Sequence, residues 1–385
     1  MIISVKKQIF IVCTSLNLGG AELQAIWLAN SLQNKNYRVS LVVLKSSFDL
    51  KQLLNEEVNL IEYKMYAYKD KNFLILRKCF NFVKAVKLFR KLTKKNNTVV
   101  FSFLFHSNIF GFLTTIFTKS YHNICIRNDR FSSRKQTENI KYRQFLIKII
   151  SYFANSIIFN SKKAREIYNY YFSNKPQKEI IFNTVLDFED QVEPSTVKIL
   201  SEFIQGEVNT FVSIGRLERL KNYDCAIESF YMLKKNGISF KYVIIGGGYL
   251  ENDLKRLVNK YNLQNNILFM GKILNAKKYL YLFKFFLLPS IHEGFPNSLI
   301  ESMKEGLIPF ATNAGDSHYL IDSGRGIKIK KPSSDSIYES IAFAIDTLTD
   351  KQLQVMRENN SNFIKHNLDE DVILKKWIDI IERNK

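Results

Sequence analysis

Short apolar runs alternate with longer amphipathic segments along this chain, and that alternation limits its fold more than any other feature. Residues 8–14 and 38–44 are apolar runs that predict buried strands, and residues 21–34 between them carry apolar side chains at helical spacing. Residues 210–214 and 223–235 begin a second series of the same kind. Such alternation is typical of parallel sheets with helices on both faces. The chain is therefore predicted to be an α/β protein with two Rossmann-like domains.

The boundaries of the two domains are predicted from length and polarity. The chain has 385 residues, which suits two domains of ordinary size. Residues 187–209 are polar and acidic, and we expect them to form a hinge between a first domain over residues 1–186 and a second over residues 210–367. Residues 368–385 contain a predicted helix, which we expect to pack back on the first domain.

The net charge is +20, and most of it lies in the first half of the chain. Residues 1–190 contain 30 Lys and Arg against 13 Asp and Glu, whereas residues 191–385 contain 26 against 23. This asymmetry predicts an anionic partner for the first domain, and nucleic acid, a membrane surface and a phosphorylated acceptor all fit. The four cysteines lie far apart and no signal peptide is recognisable, which favours a cytoplasmic protein.

One predicted helix, residues 73–92, has a strongly basic face and is a candidate for contact with an anionic membrane surface, although such a face is more often simply solvated. Its apolar positions are expected in the core; they are Phe73, Leu76, Phe80, Val83 and Leu88. Residues 99–118 lack a formal charge but include several polar side chains. A membrane-spanning helix needs about 20 predominantly apolar residues, so we expect a strand, a loop and a buried helix there.

The segment 293–301, with the sequence EGFPNSLIE, carries the strongest indication of chemistry. It follows an apolar run at residues 285–289 that predicts a strand, and its Gly and Pro delay the helix until about Asn297. The loop therefore presents the N-terminus of a helix at the carboxyl end of a strand, where open α/β sheets bind ligands and anions are favoured. Glu293 and Glu301 would lie at the two ends of a diphosphate compound bound there.

A second loop supplies positive charge. An apolar run ends at Gly215, and Arg216 and Lys221 follow within one loop. Two cations five residues apart can pair with both phosphates of a leaving diphosphate. Without these cations, the two glutamates would fit ordinary surface positions equally well. Gly246 begins a further glycine-rich turn, which has either a structural role or a ligand contact.

Several motifs along the chain match one known family. The matching residues are Gly19-Gly20-Ala21-Glu22, Asn160-Ser161, Ile181-Phe182-Asn183, Gly215-Arg216-Leu217, Lys221-Asn222, Gly246-Gly247-Gly248, and Glu293 with Glu301. Over nearly the whole chain, they resemble glycosyltransferase family 4, a large retaining group with the GT-B fold. The pair of glutamates together with the Gly-Arg-Leu and Lys-Asn motifs is the most specific part. One departure is His318, which stands where the family often has a glutamate.

The resemblance implies a GT-B protein, in which two parallel sheets face each other across a cleft, and a nucleotide-sugar donor such as a UDP-sugar. It implies that the catalytic residues are Glu293, Arg216, Lys221 and His106. The residues that it implies for donor binding are Gly19, Gly20, Gly215, Gly246, Lys272, Phe295, Pro296, Asn297, Ser298 and Glu301. No metal and no cofactor are expected, because the two cations would take the place of a metal ion.

The implied reaction moves a hexose or an N-acetylhexosamine to a glycan or lipid-linked acceptor in the synthesis of a surface polysaccharide, such as capsule or lipopolysaccharide. The protein would work in the cytoplasm, at the inner face of the plasma membrane. Two alternatives stay open. A nucleic-acid-binding protein fits the charge, but we find no RRM-like or helix-turn-helix signature and expect no nucleic-acid partner. A GT-B phosphorylase or nucleotide-sugar epimerase would share the fold.

Overall fold

The structure is a computed structural model, and it describes residues 7–17, 19–45, 50–63, 74–94, 98–127, 138–186 and 192–383. Of residues 74–79 and 138–141 it describes only the backbone. The chain divides into two compact units. Unit 1 comprises Met1–Leu186 and Glu370–Lys385, and unit 2 comprises Asp187–Asp369. The chain therefore leaves unit 1, builds unit 2 and then returns to unit 1.

Unit 1 is built on a seven-stranded parallel sheet. The strands are β1 (Gln8–Cys13), β2 (Arg38–Val43), β3 (Asn59–Glu62), β4 (Thr98–Phe103), β5 (Tyr121–Ile126), β6 (Ser156–Phe159) and β7 (Gln177–Ile180). Their order in the sheet is β3-β2-β1-β4-β5-β6-β7. The strand order reverses between β1 and β4, and ligands of open α/β sheets bind beside such a reversal.

Helices cover the sheet of unit 1 and complete its core. They are α1 (Gly20–Asn34), α2 (Leu74–Thr93), α3 (Phe105–Thr115), α4 (Glu138–Tyr152), α5 (Lys162–Tyr168) and a C-terminal helix, Glu370–Arg383. Phe89 of α2 lies edge-on to Phe10 of β1, with 4.8 Å between ring centroids, and stacks on Phe110 of α3. Offset and edge-on ring pairs of this kind add stability beyond the burial of their area.

The C-terminal helix is fixed to unit 1 by its single tryptophan and by its first turn. The ring of Trp377 lies edge-on to Phe101 at 5.2 Å and stacks on Phe103, both in β4. The guanidinium of Arg127 lies 5.0 Å from the ring centroid of Trp377. At the start of the helix, the carboxylate of Glu370 accepts a hydrogen bond of 2.7 Å from the indole N–H of Trp27. The helix therefore closes one side of the core of unit 1.

The face of α2 that meets the core differs from the expected one. Three residues that we expect in the core are exposed, namely Phe80, Val83 and Leu88. Ala85 and Phe89 are buried in the core instead, and Phe82 and Val86 pack against it. Residues three and four apart share one face of a helix, and only that face can meet the sheet. The two other expected positions, Phe73 and the side chain of Leu76, lie outside the described residues.

Unit 2 is built on a six-stranded parallel sheet. The strands are β8 (Thr210–Ile214), β9 (Lys241–Ile245), β10 (Ile267–Gly271), β11 (Phe285–Leu288), β12 (Ile308–Thr312) and β13 (Ile327–Ile329). Their order is β10-β9-β8-β11-β12-β13. Phe211 of β8 stacks on Phe285 of β11 with 4.8 Å between ring centroids, in the middle of the core. The two parallel sheets with their helices confirm the predicted α/β class and the two Rossmann-like domains.

The first helix of unit 2 lies inside the segment that we expect to be a hinge. The helices of unit 2 are α6 (Pro194–Ile204), α7 (Tyr223–Lys235), α8 (Glu251–Lys260), α9 (Asn297–Lys304), α10 (Ser317–Leu320), α11 (Ser334–Thr347) and α12 (Asp350–Asn367). Within the expected hinge, the described residues 194–204 therefore form a helix rather than a bare linker. Proline is well tolerated at the first position of a helix, and Leu200 of α6 is fully buried. Among the helices of the described residues, none is long and apolar enough to cross a membrane.

Candidate active site

Three loops of unit 2 leave neighbouring strands at the carboxyl edge of the sheet. They follow β8, β9 and β11, which lie side by side in the order β9-β8-β11. The first loop begins with Gly215, the second with Gly246, and the third contains Glu293. Because parallel strands end at the same edge, the sheet brings together motifs that lie far apart in the sequence, at the place where such sheets bind ligands.

Glycines allow the first two loops to lie in direct contact. The φ of Gly246 is 152°, and a Cβ there would lie 1.9 Å from the carbonyl oxygen of Gly215. A Cβ on Gly248 would lie 2.4 Å from the carbonyl oxygen of Leu217. The N–H of Leu217 donates a hydrogen bond of 3.1 Å to the carbonyl of Gly247. Loop packing alone therefore requires these glycines, and a ligand contact at Gly246 stays a prediction.

Lys221 and Glu293 form an ion pair at this edge. The Nζ of Lys221 lies 2.5 Å from Oε1 of Glu293, and the two side chains are only 20% and 12% exposed. The hydroxyl of the buried Ser290 donates to the same oxygen at 2.7 Å. The carboxylate is therefore held between an ammonium and a hydroxyl. The sequence motifs do not indicate Ser290, although it lies only three residues before Glu293.

Tyr223 contributes a buried phenol whose pKa is affected by Glu293. A Cβ on Gly215 would lie 3.0 Å from the phenol oxygen of Tyr223. Burial raises the pKa of Tyr223 well above its ordinary value, and the charges of Tyr242 and Glu293 add to this effect. The phenol is therefore neutral, and it is a further polar group that the motifs did not indicate.

Arg216 lies apart from the ion pair. Its guanidinium bonds to Glu218 at 2.9 Å, and its side chain is 72% exposed. The structure thus brings only one of the two expected cations to Glu293. An exposed pair of this kind contributes at most about 1 kcal/mol, so Arg216 can turn toward an anion at little cost. Among the described residues, no cluster of three or more His, Cys, Asp or Glu is arranged to hold a metal ion.

The third loop leads into α9 as the sequence predicts. The expected donor-binding residues Phe295, Pro296, Asn297 and Ser298 occupy the end of this loop and the first turn of α9. Pro296 is the N-cap residue and provides no side-chain hydrogen bond to the helix. A Cβ on Gly315, whose φ is 57°, would lie 2.4 Å from the carbonyl oxygen of Gly294. The turn after β12 therefore supports the loop, a role of Gly315 that the sequence did not reveal.

Glu301 lies further along α9 in a partly buried position. Burial raises the pKa of its carboxyl group to about 7, although the positive charge of Lys277 acts in the opposite direction. Lys277 is itself 7% exposed, in the short helix Ala276–Leu282. A carboxyl group with this pKa gains or loses its proton near neutral pH. Lys277 was not among the expected site residues, because nothing in its local sequence indicates burial.

Lys272 and His318 lie beside the loops without joining the ion pair. Lys272 is exposed after β10, and a Cβ on Gly247 would lie 3.0 Å from its Cε. The Nε2 of His318 lies 3.1 Å from the carbonyl oxygen of Ala311 in β12. Burial lowers the pKa of His318, which favours the neutral ring. The imidazole is thus bound to the backbone of a strand, so His318 does not simply replace an acidic ligand-binding group.

In unit 1, the expected site residues lie at the carboxyl edge of the sheet. Gly19 and Gly20 follow β1 and begin α1. His106 follows β4, the neighbour of β1 in the sheet, and its side chain is exposed. The hydroxyls of Thr14 and Ser107 lie 3.2 Å apart and connect the two loops. The sheet therefore brings the glycine turn and the histidine to one edge of unit 1.

The apolar run at residues 99–105 predicts a strand that ends just before His106, but the strand in the structure is shorter. Strand β4 ends at Phe103, and Leu104 adopts a φ of 71°, which breaks the extended conformation. His106 therefore lies in the first turn of α3 rather than on the strand itself. A longer apolar run conceals this boundary in the sequence, because Leu104 and Phe105 continue it.

Comparisons with known proteins bear on both units. Residues 198–363 match a family model described as glycosyl transferases group 1. A Campylobacter jejuni protein named N-acetylgalactosamine-N,N'-diacetylbacillosaminyl-diphospho-undecaprenol 4-alpha-N-acetylgalactosaminyltransferase is 30% identical over 54% of this chain and 55% of its own length. The UDP-Gal:alpha-D-GlcNAc-diphosphoundecaprenol alpha-1,3-galactosyltransferase of Escherichia coli is 30% identical over 49% of this chain and 50% of its own. The matches thus span about half the length of these relatives.

A solved structure extends the likeness to the whole chain. The structure of Anabaena HepE in complex with UDP and glucose matches 98% of this chain and 100% of its own, with a TM-score of 0.79 and 15% identity. This likeness confirms the GT-B fold. Residues 198–363 lie in unit 2 and contain Arg216, Lys221, Glu293 and Glu301. Through this segment, the chain is similar to the glycosyl transferases group 1 family.

Proposed function

We propose that this protein is a retaining glycosyltransferase that moves a hexose or N-acetylhexosamine from a UDP-sugar to a glycan or lipid-linked acceptor. The observation that carries the proposal is the half-buried pair of Lys221 and Glu293, at the edge where three loops of unit 2 meet. The match of residues 198–363 to the model of glycosyl transferases group 1 supports sugar transfer as the reaction. The UDP in the HepE structure and the UDP-Gal in the name of the Escherichia coli relative support the choice of base.

The donor diphosphate would bind between the loop after β8 and the N-terminus of α9. Lys221 already lies in the site, and Arg216 can leave Glu218 to pair with a phosphate. The first turn of α9, whose N-cap residue Pro296 provides no side-chain hydrogen bond, favours an anion. Stabilisation of the leaving diphosphate is the largest catalytic effect that such groups exert. Because these groups supply the positive charge, we propose that no metal ion is required.

The two glutamates would bind the two ends of the donor. Glu301 would accept hydrogen bonds from the ribose hydroxyls, and Lys272 would flank the base. Glu293 would lie beside the donor sugar, held there by Ser290. When the diphosphate attracts Lys221, the ion pair at 2.5 Å loosens and Glu293 becomes available to the sugar hydroxyls. Attack by the acceptor from the side of the leaving phosphate would keep the configuration at the sugar carbon.

The acceptor would bind unit 1. Gly19 and Gly20 allow a close approach of the backbone, and the exposed His106 at the same edge would touch sugar or acceptor hydroxyls. The names of both relatives contain a diphospho-undecaprenol group, which supports a lipid-linked acceptor for a surface polysaccharide. The basic first half of the chain, with 30 Lys and Arg against 13 Asp and Glu in residues 1–190, fits contact with the anionic inner face of the plasma membrane.

The deciding experiment measures sugar transfer with a panel of UDP- and GDP-sugars and a short lipid diphosphate acceptor. Arg216→Met should lower transfer by about 100-fold or more, because one group that stabilises the leaving charge is lost. Arg256→Met is the matched control, since Arg256 is equally exposed in α8 and pairs with Asp253 in the same way. Full activity of Arg216→Met would contradict the proposed site. Epimerisation of the UDP-sugar without acceptor would instead favour the epimerase.

A further inference from the structure

The exposed face of α4 is unusual for a helix on the surface of a globular protein. Four of its side chains are large, apolar or aromatic, and exposed to solvent; they are Tyr142, Phe145, Ile149 and Tyr152. Phe145 is 62% exposed. Their spacing of three, four and three residues places them on one stripe along the helix. The opposite face carries Ile147 and Ile150, which are buried in the core. The helix is thus apolar on both faces, and only one of these faces packs against the protein.

A groove extends this stripe toward the segment that follows α5. The groove has a volume of about 900 Å³ and is open to solvent. Its lining includes Tyr152, Phe153 and Tyr170, of which Tyr170 is 86% exposed. We name this surface, formed by the exposed stripe of α4 with Phe153 and Tyr170, the α4 surface. Contiguous exposed apolar side chains of this kind mark interaction sites.

Positive charge surrounds the α4 surface. Residues 138–179 contain eight Lys and Arg against three Glu. Lys148 lines the groove, and the Nζ of Lys175 lies 4.4 Å from the ring centroid of Tyr152. Burial and the nearby Arg165 both lower the pKa of Lys178, whose Nζ donates to Asn169 in the groove. Aromatic side chains with polar tips, bordered by cations, suit the region where lipid headgroups meet acyl chains.

We propose that the α4 surface docks unit 1 on an anionic lipid bilayer. Phe145 and Ile149 would enter the upper acyl region, the tyrosines would lie at headgroup level, and Lys148 and Lys175 would pair with lipid phosphates. This inference rests on the proposed lipid-linked acceptor. It replaces the predicted contact through the basic helix at residues 73–92 with a contact through a different helix. Each basic side chain near an anionic surface strengthens binding, and apolar side chains that enter the bilayer strengthen it further.

The test measures binding of the full chain to vesicles of phosphatidylcholine, alone and mixed with phosphatidylglycerol. Wild-type protein should bind only the mixed vesicles, and salt should weaken the binding. The double variant Phe145→Ser with Ile149→Ser should lose at least about tenfold in affinity. Phe343→Ser is the matched control, since Phe343 is 65% exposed but lies on α11 of unit 2. It should bind like the wild type.

A second experiment tests whether α4 or α2 is the helix that contacts the vesicles. The variant Phe80→Ser with Val83→Ser removes two exposed apolar side chains from α2 and should keep most of the affinity. The inference is overturned if this variant loses binding while the α4 variant keeps it, or if wild-type protein ignores anionic vesicles. It is also overturned if the wild type self-associates and the α4 variant is monomeric, because the surface would then serve a second copy.

Sugar transfer measured without vesicles distinguishes a failure of this inference from a failure of the proposed function. With a water-soluble acceptor and no vesicles, the α4 variant should transfer sugar at the wild-type rate, whereas Arg216→Met should not. A loss of vesicle binding with intact transfer supports docking alone. Loss of transfer by the α4 variant without vesicles, at an unchanged melting temperature, would contradict it, because the α4 surface would then act in the reaction itself.

Discussion

Glu301 illustrates how a buried carboxyl group can lower the stability of its own protein. Burial raises the pKa of its carboxyl from 4.5 to about 7. Between these two pH values the folded state holds the proton more tightly than the unfolded state does. The protonated carboxyl group therefore makes its full contribution to the free energy of unfolding below about pH 4.5. This contribution is lost as the pH rises through 7.

The corresponding prediction concerns Glu301→Gln. At pH 8 this variant should be more stable than the wild type, with a free energy of unfolding up to about 3 kcal/mol greater. The reason is that glutamine has no charge to bury. At pH 4 the difference should vanish. Thermal or urea unfolding across this range measures it, with Glu358→Gln, an exposed glutamate of α12, as control. An equal pH dependence in wild type and Glu301→Gln would mean that another group causes it.

Ser290 offers a test of how Glu293 is positioned. Its hydroxyl is the second partner of the carboxylate, after Lys221. Ser290→Ala should lower transfer by about tenfold, since a hydrogen bond to a charged group contributes about 1.5–3 kcal/mol. Ser213→Ala removes an equally buried hydroxyl in β8 and should leave the rate unchanged. An unchanged rate in Ser290→Ala would show that Lys221 alone positions Glu293.

The sequence predicts these residues only in part. Lys221 and Glu293 were identified because both follow apolar strands, and parallel strands end at one edge. Arg216 was expected beside them, but an exposed loop residue pairs with its nearest acid, here Glu218. Lys277 was missed because its burial depends on tertiary packing, which no local pattern reports. Side-chain contacts between distant segments are therefore the part that the sequence alone does not predict.

Among the elements, the loops after β8 and β9 depend on each other. A Cβ on Gly246 would overlap the carbonyl oxygen of Gly215. Gly246→Ala should therefore cost about 3 kcal/mol or more of stability and distort the loop of Lys221. Gly206→Ala is the control: its φ is also positive, at 74°, but no atom lies within 4 Å of its Cβ, so the cost should be about 1 kcal/mol. Equal losses in urea unfolding would argue against the overlap.

A fully buried strand and an amphipathic helix differ in how clearly the sequence shows them. A strand buried on both faces, such as β1, appears as an uninterrupted apolar run. A helix shows its apolar face only through spacing, and α2 carries two such stripes, so the sequence favoured the wrong one. Helix α6 was missed because the acidic and polar residues on either side of it make the whole segment resemble a linker.

At the level of the whole molecule, unit 1 depends on residues that follow unit 2. Trp377 is 2% exposed and packs on Phe101, Phe103 and Arg127. Trp377→Ala should destabilise unit 1 by about 3–5 kcal/mol. Hydrogen exchange should speed up in β4 and β5 while β8 and β9 stay protected. Lys375→Ala, an exposed position of the same helix, should change neither. Faster exchange in unit 2 as well would mean that the units unfold together.

The return of the chain to unit 1 also has a consequence for synthesis on the ribosome. Residues 187–369 form one continuous unit, whereas the core of unit 1 waits for Trp377. At about 5–20 residues per second, translation of the intervening segment takes roughly ten seconds or more. During this time the side of unit 1 that the C-terminal helix later covers stays open, and chaperones have access to its exposed phenylalanines. The nascent protein is therefore most vulnerable to aggregation just before its final helix emerges.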